Sequence, residues 1–192
     1  MTDRKVPVRV GILDRPLIRP KTEVSLSAFA FLFSEVVQYT QNRVTSVADL
    51  EKRLETLGHG IGVRVVELVS CRDRLTKRET RIVGMLQYIS NVLWKYLFGK
   101  AADNLERSME NEDEYMIHES SPITNTFVSV PADMGQLNCA CFIGGIIAGV
   151  LESSRFNARV TSHLVYGDNN TERTVFLIKF SPEVISRERK LG

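Results

Sequence analysis

Apolar residues recur at helical spacing in three stretches of the first half of the chain, and each stretch predicts a helix. The first helix is expected from about Thr22 to Tyr39, with an apolar stripe at Leu26, Phe29, Phe33 and Val36. The second begins at Ser46, which opens a variant capping box, and its apolar series is Leu50, Leu54, Leu57, Ile61, Val65 and Leu68. The third is expected from Lys77 to about Phe98, ended by Gly99, with inward residues Ile82, Leu86, Ile89, Leu93 and Leu97.

The first predicted helix is apolar over more of its surface than one core would cover. Ala28, Phe31 and Leu32 extend the apolar surface around the helix, beyond the stripe that faces the core. A helix that is apolar nearly all round must be covered on two sides. We therefore interpret the surplus as a surface for a partner protein. The candidates are Phe29, Phe31, Leu32 and Val36, and their spacing alone does not decide which of them point inward.

The second half of the chain predicts strands. Thr126–Val130 is β-branched and aromatic and is stopped by Pro131, and Tyr115–Glu119 is expected to pair with it. In residues 158–164, Ala158, Val160, Ser162 and Leu164 alternate with polar residues, and in residues 175–180, Phe176, Ile178 and Phe180 alternate with Val175, Leu177 and Lys179. The two segments predict a hairpin around the loop 167–170. The order is then three helices followed by β-β-α-β-β. Segregated hairpins favour an α+β fold in which the helices pack on an antiparallel sheet.

The helix between these strand pairs is predicted from an uncharged run, Leu137–Leu151, that is rich in small residues. It is shorter than the ~20 residues that span a bilayer. Glycine weakens a solvated helix by up to ~1 kcal/mol, so we expect this helix to be buried on the sheet. Gly58 and Gly62 share one face of the second helix. Because no strand precedes them and the dinucleotide-binding spacing is absent, we assign them to close helix packing rather than to a phosphate loop.

Composition is that of an ordinary soluble domain. The chain has 192 residues, 43% hydrophobic and 25% charged, with a net charge of +2, which gives no drive toward nucleic acid. We expect a basic, proline-containing arm over residues 1–20 and a single domain over 21–192. Without an apolar N-terminal segment, and with an odd count of three cysteines, a reduced cytoplasmic protein is expected.

Candidate chemistry is sparse. His59, His118 and His163 fall on three different predicted elements, and Cys139 and Cys141 would point ~200° apart around a helix. A zinc site needs about four converging ligands, so no metal is expected. Neither a nucleophile signature nor a cofactor motif is present, so we expect no cofactor and no enzyme activity in this chain.

Several segments, in this order, resemble the small subunits of the transport protein particle (TRAPP), in particular those of the subunit-five type. They are Arg19–Ala30, Leu57-Gly58 with Gly62 and Arg64, Arg78–Thr80, Trp94-Lys95, Leu97–Asp103, Ile123–Thr126, Val128–Pro131, Leu137–Ala140, Val160-Thr161 and Ile178–Phe180. Each segment alone is weakly specific. Their number and order identify the chain as a member of that family over about residues 19–190.

The resemblance implies a non-catalytic scaffold. TRAPP complexes tether vesicles and promote nucleotide exchange on Rab-type GTPases in endoplasmic-reticulum-to-Golgi transport, and their small subunits assemble through helices. The implied partners are sister TRAPP small subunits and, through the assembled complex, a Rab-type GTPase. The implied location is cytoplasmic, peripherally associated with Golgi and endoplasmic reticulum membranes.

Three alternatives stay open at this point. The fold also resembles 4-vinyl-reductase-type domains, so the chain could be a small-molecule or acyl-chain-binding module. A sister subunit carries an acylated cysteine, and Cys71 lies near the equivalent place but several residues early, so it is either an acylation site or a plain thiol. Arg72, Arg74 and Lys77 either face an anionic membrane or belong to a solvated loop.

Overall fold

A computed structural model describes residues 24–73, 78–130, 137–166 and 172–191. The expected arm, residues 1–20, lies outside these ranges. The helices are α1 (Leu26–Gln41), α2 (Val47–Asp73), α3 (Ile82–Gln87), α4 (Trp94–Phe98), α5 (Ile123–Thr126), α6 (Cys141–Ser153) and α7 (Pro182–Leu191). A π-helical segment, Tyr88–Leu93, joins α3 to α4. The strands are β1 (Asn104–Arg107), β2 (Glu114–Glu119), β3 (Ala158–Tyr166) and β4 (Glu172–Phe180). The described chain therefore confirms the α+β prediction.

The four strands form one antiparallel sheet in the order β1-β2-β4-β3. Side chains alternate between its two faces. Phe176, Ile178 and Phe180 of β4 are buried on the face toward the helices, together with Ile117 of β2 and Val160 of β3. The predicted β3–β4 hairpin is confirmed, with Val160 opposite Ile178 in the register.

Helices α2 and α6 are joined by a seam of glycines. A Cβ on Gly58 would overlap the backbone of Phe142, and one on Gly62 would overlap that of Ile146. From the other side, Gly145 and Gly149 approach the backbone of α2 in the same way. Only the absence of side chains lets two helix backbones come this close, which confirms the packing role assigned to Gly58 and Gly62. The glycine-rich helix is buried between α2 and the sheet, as expected.

The buried residues fall into two clusters. The larger lies between the sheet, α6, α3 and the second half of α2. The smaller is formed by α1, the first half of α2 and the start of α6, and its buried members are Phe33, Val37, Leu50, Leu54, Leu137, Cys139 and Cys141. Helix α1 packs on this smaller cluster, so one side of it is buried and the other is open.

The third predicted helix begins later than expected. Residues 78–81 are not helical, Lys77 lies outside the described residues, and α3 starts at Ile82. The carboxylate of Glu188 on α7 accepts the backbone N–H of Ile82 at 3.1 Å and so caps this helix start from another element. The π-helical segment widens one turn, and Gly99 ends α4 in the left-handed region at φ 79°, as predicted.

Two further predictions are corrected. Thr126–Val130 is not a strand: Ile123–Thr126 forms a short helix after Pro122, and Val128 and Val130 then pack against the smaller cluster. Strand β2 is present as expected, but it pairs with β1 and β4. Two elements were not predicted: β1, which lies in an acidic stretch of the chain, and α7.

Candidate interaction site

The four predicted partner residues of α1 divide into two pairs. Phe31 is 78% exposed and Leu32 is 66% exposed. Phe29 and Val36 are half-buried and pack against the smaller cluster, where the ring of Phe29 stacks on that of Phe33 at 5.7 Å between centroids. Phe31 and Phe33 lie ~200° apart around the helix, so Phe31 points away from the core.

Helix α2 adds apolar side chains to the same side of the molecule. Leu57 and Ile61, which continue the apolar series of α2, are 47% and 38% exposed. Leu68, three turns beyond Leu57, is also exposed. The sequence alone did not show this exposure, because the six residues of the series lie within ~80° of one another around the helix. The buried face of α2 is turned toward Gly58, Gly62 and Val69, so Leu57, Ile61 and Leu68 lie at its exposed edge.

An open groove runs between α1 and α2. It has a volume of about 520 Å³ and is lined by Glu35, Val36, Tyr39, Thr40, Arg53, Thr56 and Leu57. Tyr39 and Leu57 line it with exposed apolar surface. Phe31 and Leu32 lie one helical turn before Glu35 and Val36, and Ile61 lies one turn after Leu57, so these exposed apolar residues flank the groove. We call these residues and the groove the α1–α2 face. Because large exposed apolar patches mark interaction sites, this face is the candidate interaction site.

The basic segment after α2 contacts the protein at its described positions. Arg72 is partly buried, and its guanidinium donates a hydrogen bond to the Tyr96 hydroxyl. Arg78 donates to the Ser154 carbonyl at 2.8 Å, just past the end of α6. Arg74 and Lys77 lie outside the described residues. Of the three candidate membrane residues, the structure therefore places one, and its guanidinium is turned toward Tyr96.

The three cysteines differ in environment. Cys71 is exposed near the end of α2, whereas Cys139 and Cys141 are buried in the smaller cluster. Burial, assisted by the Glu51 carboxylate, raises the pKa of the Cys139 thiol to about 11 and that of Cys141 still further. Both buried thiols are therefore protonated and unreactive at neutral pH.

The histidines do not converge. His59 lies 2.5 Å from the Glu152 carboxylate, joining α2 to the end of α6, while His118 lies 3.3 Å from Glu106 on the sheet. His163 contacts the Thr161 hydroxyl at 2.9 Å. Within the described part of the chain, no group of three or more histidines, cysteines, aspartates or glutamates is placed to hold a metal ion.

A second cavity, of about 270 Å³, opens beside the N-terminal end of α1, with Leu26 and Phe127 among its lining residues. At its polar side, the buried Glu119 carboxylate accepts the Trp94 indole N–H at 2.9 Å and an ammonium hydrogen bond from Lys100. These polar groups satisfy one another, so the cavity presents mainly apolar walls. It is the feature that best fits the small-molecule alternative.

None of the helices in the described ranges is both long enough and apolar enough to cross a membrane. The fold is similar to that in a crystal structure of a trafficking protein particle complex subunit 3 from Naegleria fowleri, covalently bound to palmitic acid. The TM-score is 0.69 at 21% identity, covering 81% of this chain and 95% of that one. At that identity the match supports the fold alone.

Sequence comparison gives the family. The model of the transport protein particle (TRAPP) component family matches residues 29–181. Trafficking protein particle complex subunit 5 of Dictyostelium discoideum is 49% identical, covering 93% of this chain and 96% of that protein. Its Homo sapiens counterpart is 46% identical over 94% and 93%. Subunit 31 of Saccharomyces cerevisiae is 27% identical over 92% and 83%. The resemblance found in the sequence is confirmed: this chain belongs to the family of TRAPP components.

Proposed function

We propose that this chain is a non-catalytic structural subunit of a TRAPP complex, of the subunit-5 type, that joins a sister small subunit through its α1–α2 face. The relatives that carry the subunit-5 name match it over nearly their whole length, which supports the same place in a complex of vesicle transport. The same matches favour this function over a 4-vinyl-reductase-like module.

The observation that carries the proposal is the position of the exposed apolar residues. Helix α1 buries one side against the smaller cluster and leaves Phe31 and Leu32 in solvent. Leu57 and Ile61 continue that exposed surface on α2. Covering such residues on association contributes roughly 25 cal/mol per Å² of apolar area removed from water.

The finer parts of the function rest on the family resemblance. Nucleotide exchange on a Rab-type GTPase would belong to the assembled complex, in which this chain acts as scaffold. The complex would work in the cytoplasm, peripherally on Golgi and endoplasmic reticulum membranes. Guanine nucleotide exchange, measured for the complete complex and for this chain alone, tests this division. Exchange by the isolated chain would contradict it.

Contact with an anionic membrane is a second part of the proposal. Arg74 and Lys77 remain candidates, while Arg72 is turned toward Tyr96. Reversing Arg74 and Lys77 to Glu should reduce binding of the complex to vesicles that contain phosphatidylserine. Unchanged binding would remove the membrane face from the proposal.

The assembly role is tested by co-expressing the chain with a TRAPP subunit 3 from the same organism and measuring the native mass. We expect a one-to-one heterodimer. Phe31→Asp should abolish it while the isolated chain keeps its melting temperature, because Phe31 makes little contact with the core. Met109→Asp is the matched control, since Met109 is fully exposed on the β1–β2 turn. A monomer that ignores its sister would contradict the scaffold role. A lipid or acyl adduct in its mass spectrum would then favour the ligand-binding alternative.

A further inference from the structure

The groove of the α1–α2 face has an apolar floor although two threonines line it. Thr40 donates its hydroxyl to the Val36 carbonyl at 2.7 Å, and Thr56 donates to the Lys52 carbonyl at 2.8 Å. Each hydroxyl is thus satisfied within its own helix, and the groove is left without a free hydroxyl from these two residues. Such a floor suits an apolar side chain rather than a polar ligand.

Two charged residues of opposite sign line this groove. Glu35 lies on α1 and Arg53 on α2, and both are exposed. Among the described residues, neither makes an ion pair or a side-chain hydrogen bond. Their neighbours differ: Lys52 pairs with Glu55 at 3.0 Å, and Arg43 lies 3.4 Å over the Tyr39 ring. The groove therefore has an acidic and a basic side chain whose charges are open to an incoming chain.

Charges beside an apolar interface act mainly on specificity. A partner that places matching charges opposite them gains attraction and a faster encounter. A partner that covers them without a match leaves charges desolvated and unpaired, which costs binding free energy. The two open charges of this groove are therefore suited to choosing among chains that can all cover its apolar floor.

We propose that Glu35 and Arg53 select the sister subunit. The occupant is an amphipathic helix of a different TRAPP small subunit, with an apolar side chain seated in the groove between a basic residue that meets Glu35 and an acidic residue that meets Arg53. This inference rests on the proposed function and goes further by naming the charge pattern of the partner.

The test compares charge reversals in the heterodimer with TRAPP subunit 3, with dissociation constants measured by isothermal titration at low and high salt. Glu35→Lys and Arg53→Glu should each weaken binding ~10-fold or more, with the larger effect at low salt. Glu110→Lys and Arg159→Glu make the same charge changes at exposed sites on the β1–β2 turn and on β3, so they should bind as the wild type does. Melting temperatures should stay unchanged in all four variants.

Reversal of a facing charge on the sister's own helix should restore binding to the matching variant. If Glu35→Lys and Arg53→Glu bind normally while Phe31→Asp does not, the selection is overturned and the scaffold role stands. If Phe31→Asp also binds normally, the scaffold role through this face fails as well. If the chain alone has the native mass of a dimer that Arg53→Glu dissociates, the occupant is a second copy and the sister assignment is overturned.

Discussion

The glycine seam between α2 and α6 gives the sharpest prediction about stability. In Gly62→Ala, the new Cβ would lie well inside 3.0 Å of the Ile146 carbonyl oxygen and at 3.0 Å from both its carbonyl carbon and the Val150 nitrogen. Ordinary Cβ contacts begin at 3.4 Å. All three atoms are backbone, so no side chain can rotate away to make room. The two helices must instead separate.

The expected size follows from two opposing terms. Overpacking a close-packed interior costs about 1–3 kcal/mol, and a clash with backbone belongs at the upper end of that range. Replacing glycine by alanine within a helix returns about 1 kcal/mol of backbone entropy and propensity. The net loss is therefore about 2 kcal/mol of the free energy of unfolding. For a domain of this size, that lowers the melting temperature by about 4–8 °C.

Gly60 supplies a matched control on the same helix, two residues away. A Cβ there meets only the guanidinium of Arg64 at 3.4 Å, the mobile end of a long side chain. Gly60→Ala should therefore gain most of the propensity term and melt about 1–4 °C higher than the wild type. Urea unfolding and thermal melts of both variants show whether each alanine lowers or raises the free energy of unfolding. If Gly62→Ala is as stable as the wild type, or if both alanines shift stability in one direction, the close-approach argument is wrong.

Three further predictions concern thiols and charges. In the native chain, Cys71 should react with Ellman's reagent at pH 7.5 while Cys139 and Cys141 should react only after unfolding; fast modification of two or three thiols would contradict their burial. Glu119→Gln should lower the unfolding free energy by about 1–3 kcal/mol in urea titrations, because the Lys100 ammonium loses its charge-assisted hydrogen bond to the buried carboxylate. An unchanged midpoint would show that the pair contributes nothing. Burial favours protonation of Asp103, but the Ser120 amide and the nearby ammonium outweigh it and hold the Asp103 pKa below its usual 3.8. The ionised Asp103 carboxylate therefore stabilises the fold above about pH 4, and this stabilisation is lost as pH falls further. The difference in unfolding free energy between wild type and Asp103→Asn should then close in acid, and a difference that widens in acid would contradict the direction of this pKa shift.

The helices with clear periodicity were predictable because burial and propensity agree in them. Ser46 caps α2 as predicted, since its hydroxyl oxygen accepts a hydrogen bond from the Asp49 backbone N–H at 3.1 Å. The glycine seam was predictable for a similar reason: Gly58 and Gly62 share one face. What periodicity could not resolve is where the buried face of α2 ends. Leu57 and Ile61 continue the apolar series of Leu50 and Leu54, yet the structure exposes them.

The errors come from segments where local composition and tertiary context disagree. Thr126–Val130 has strand-forming residues, yet Thr126 donates its hydroxyl to the Pro122 carbonyl at 3.2 Å in a short helical turn. Strand β1 has one apolar residue, Leu105, because an edge strand is paired on one side only and tolerates charge on the other. Helix α7 buries Val184 alone among its residues, so its apolar pattern is too weak to predict a helix.

The residues of the α1–α2 face could be identified from the sequence only in part. The surplus of apolar residues on α1 was visible in the sequence, and the structure shows Phe31 and Leu32 as the exposed pair. Glu35 and Arg53 were not singled out, because a lone charge on a helix usually faces water. Only the groove between two helices gives those charges a shared position.

The exposed apolar side of α1 also affects the stability of the chain in the cell before it assembles. A newly made copy presents aromatic and aliphatic side chains in the manner that chaperones and degradation machinery recognise in incomplete proteins. Sister subunits would compete with that machinery for the same surface. The cellular level of this protein should then follow the supply of its partner, with excess copies removed and stoichiometry set after translation rather than by matched synthesis.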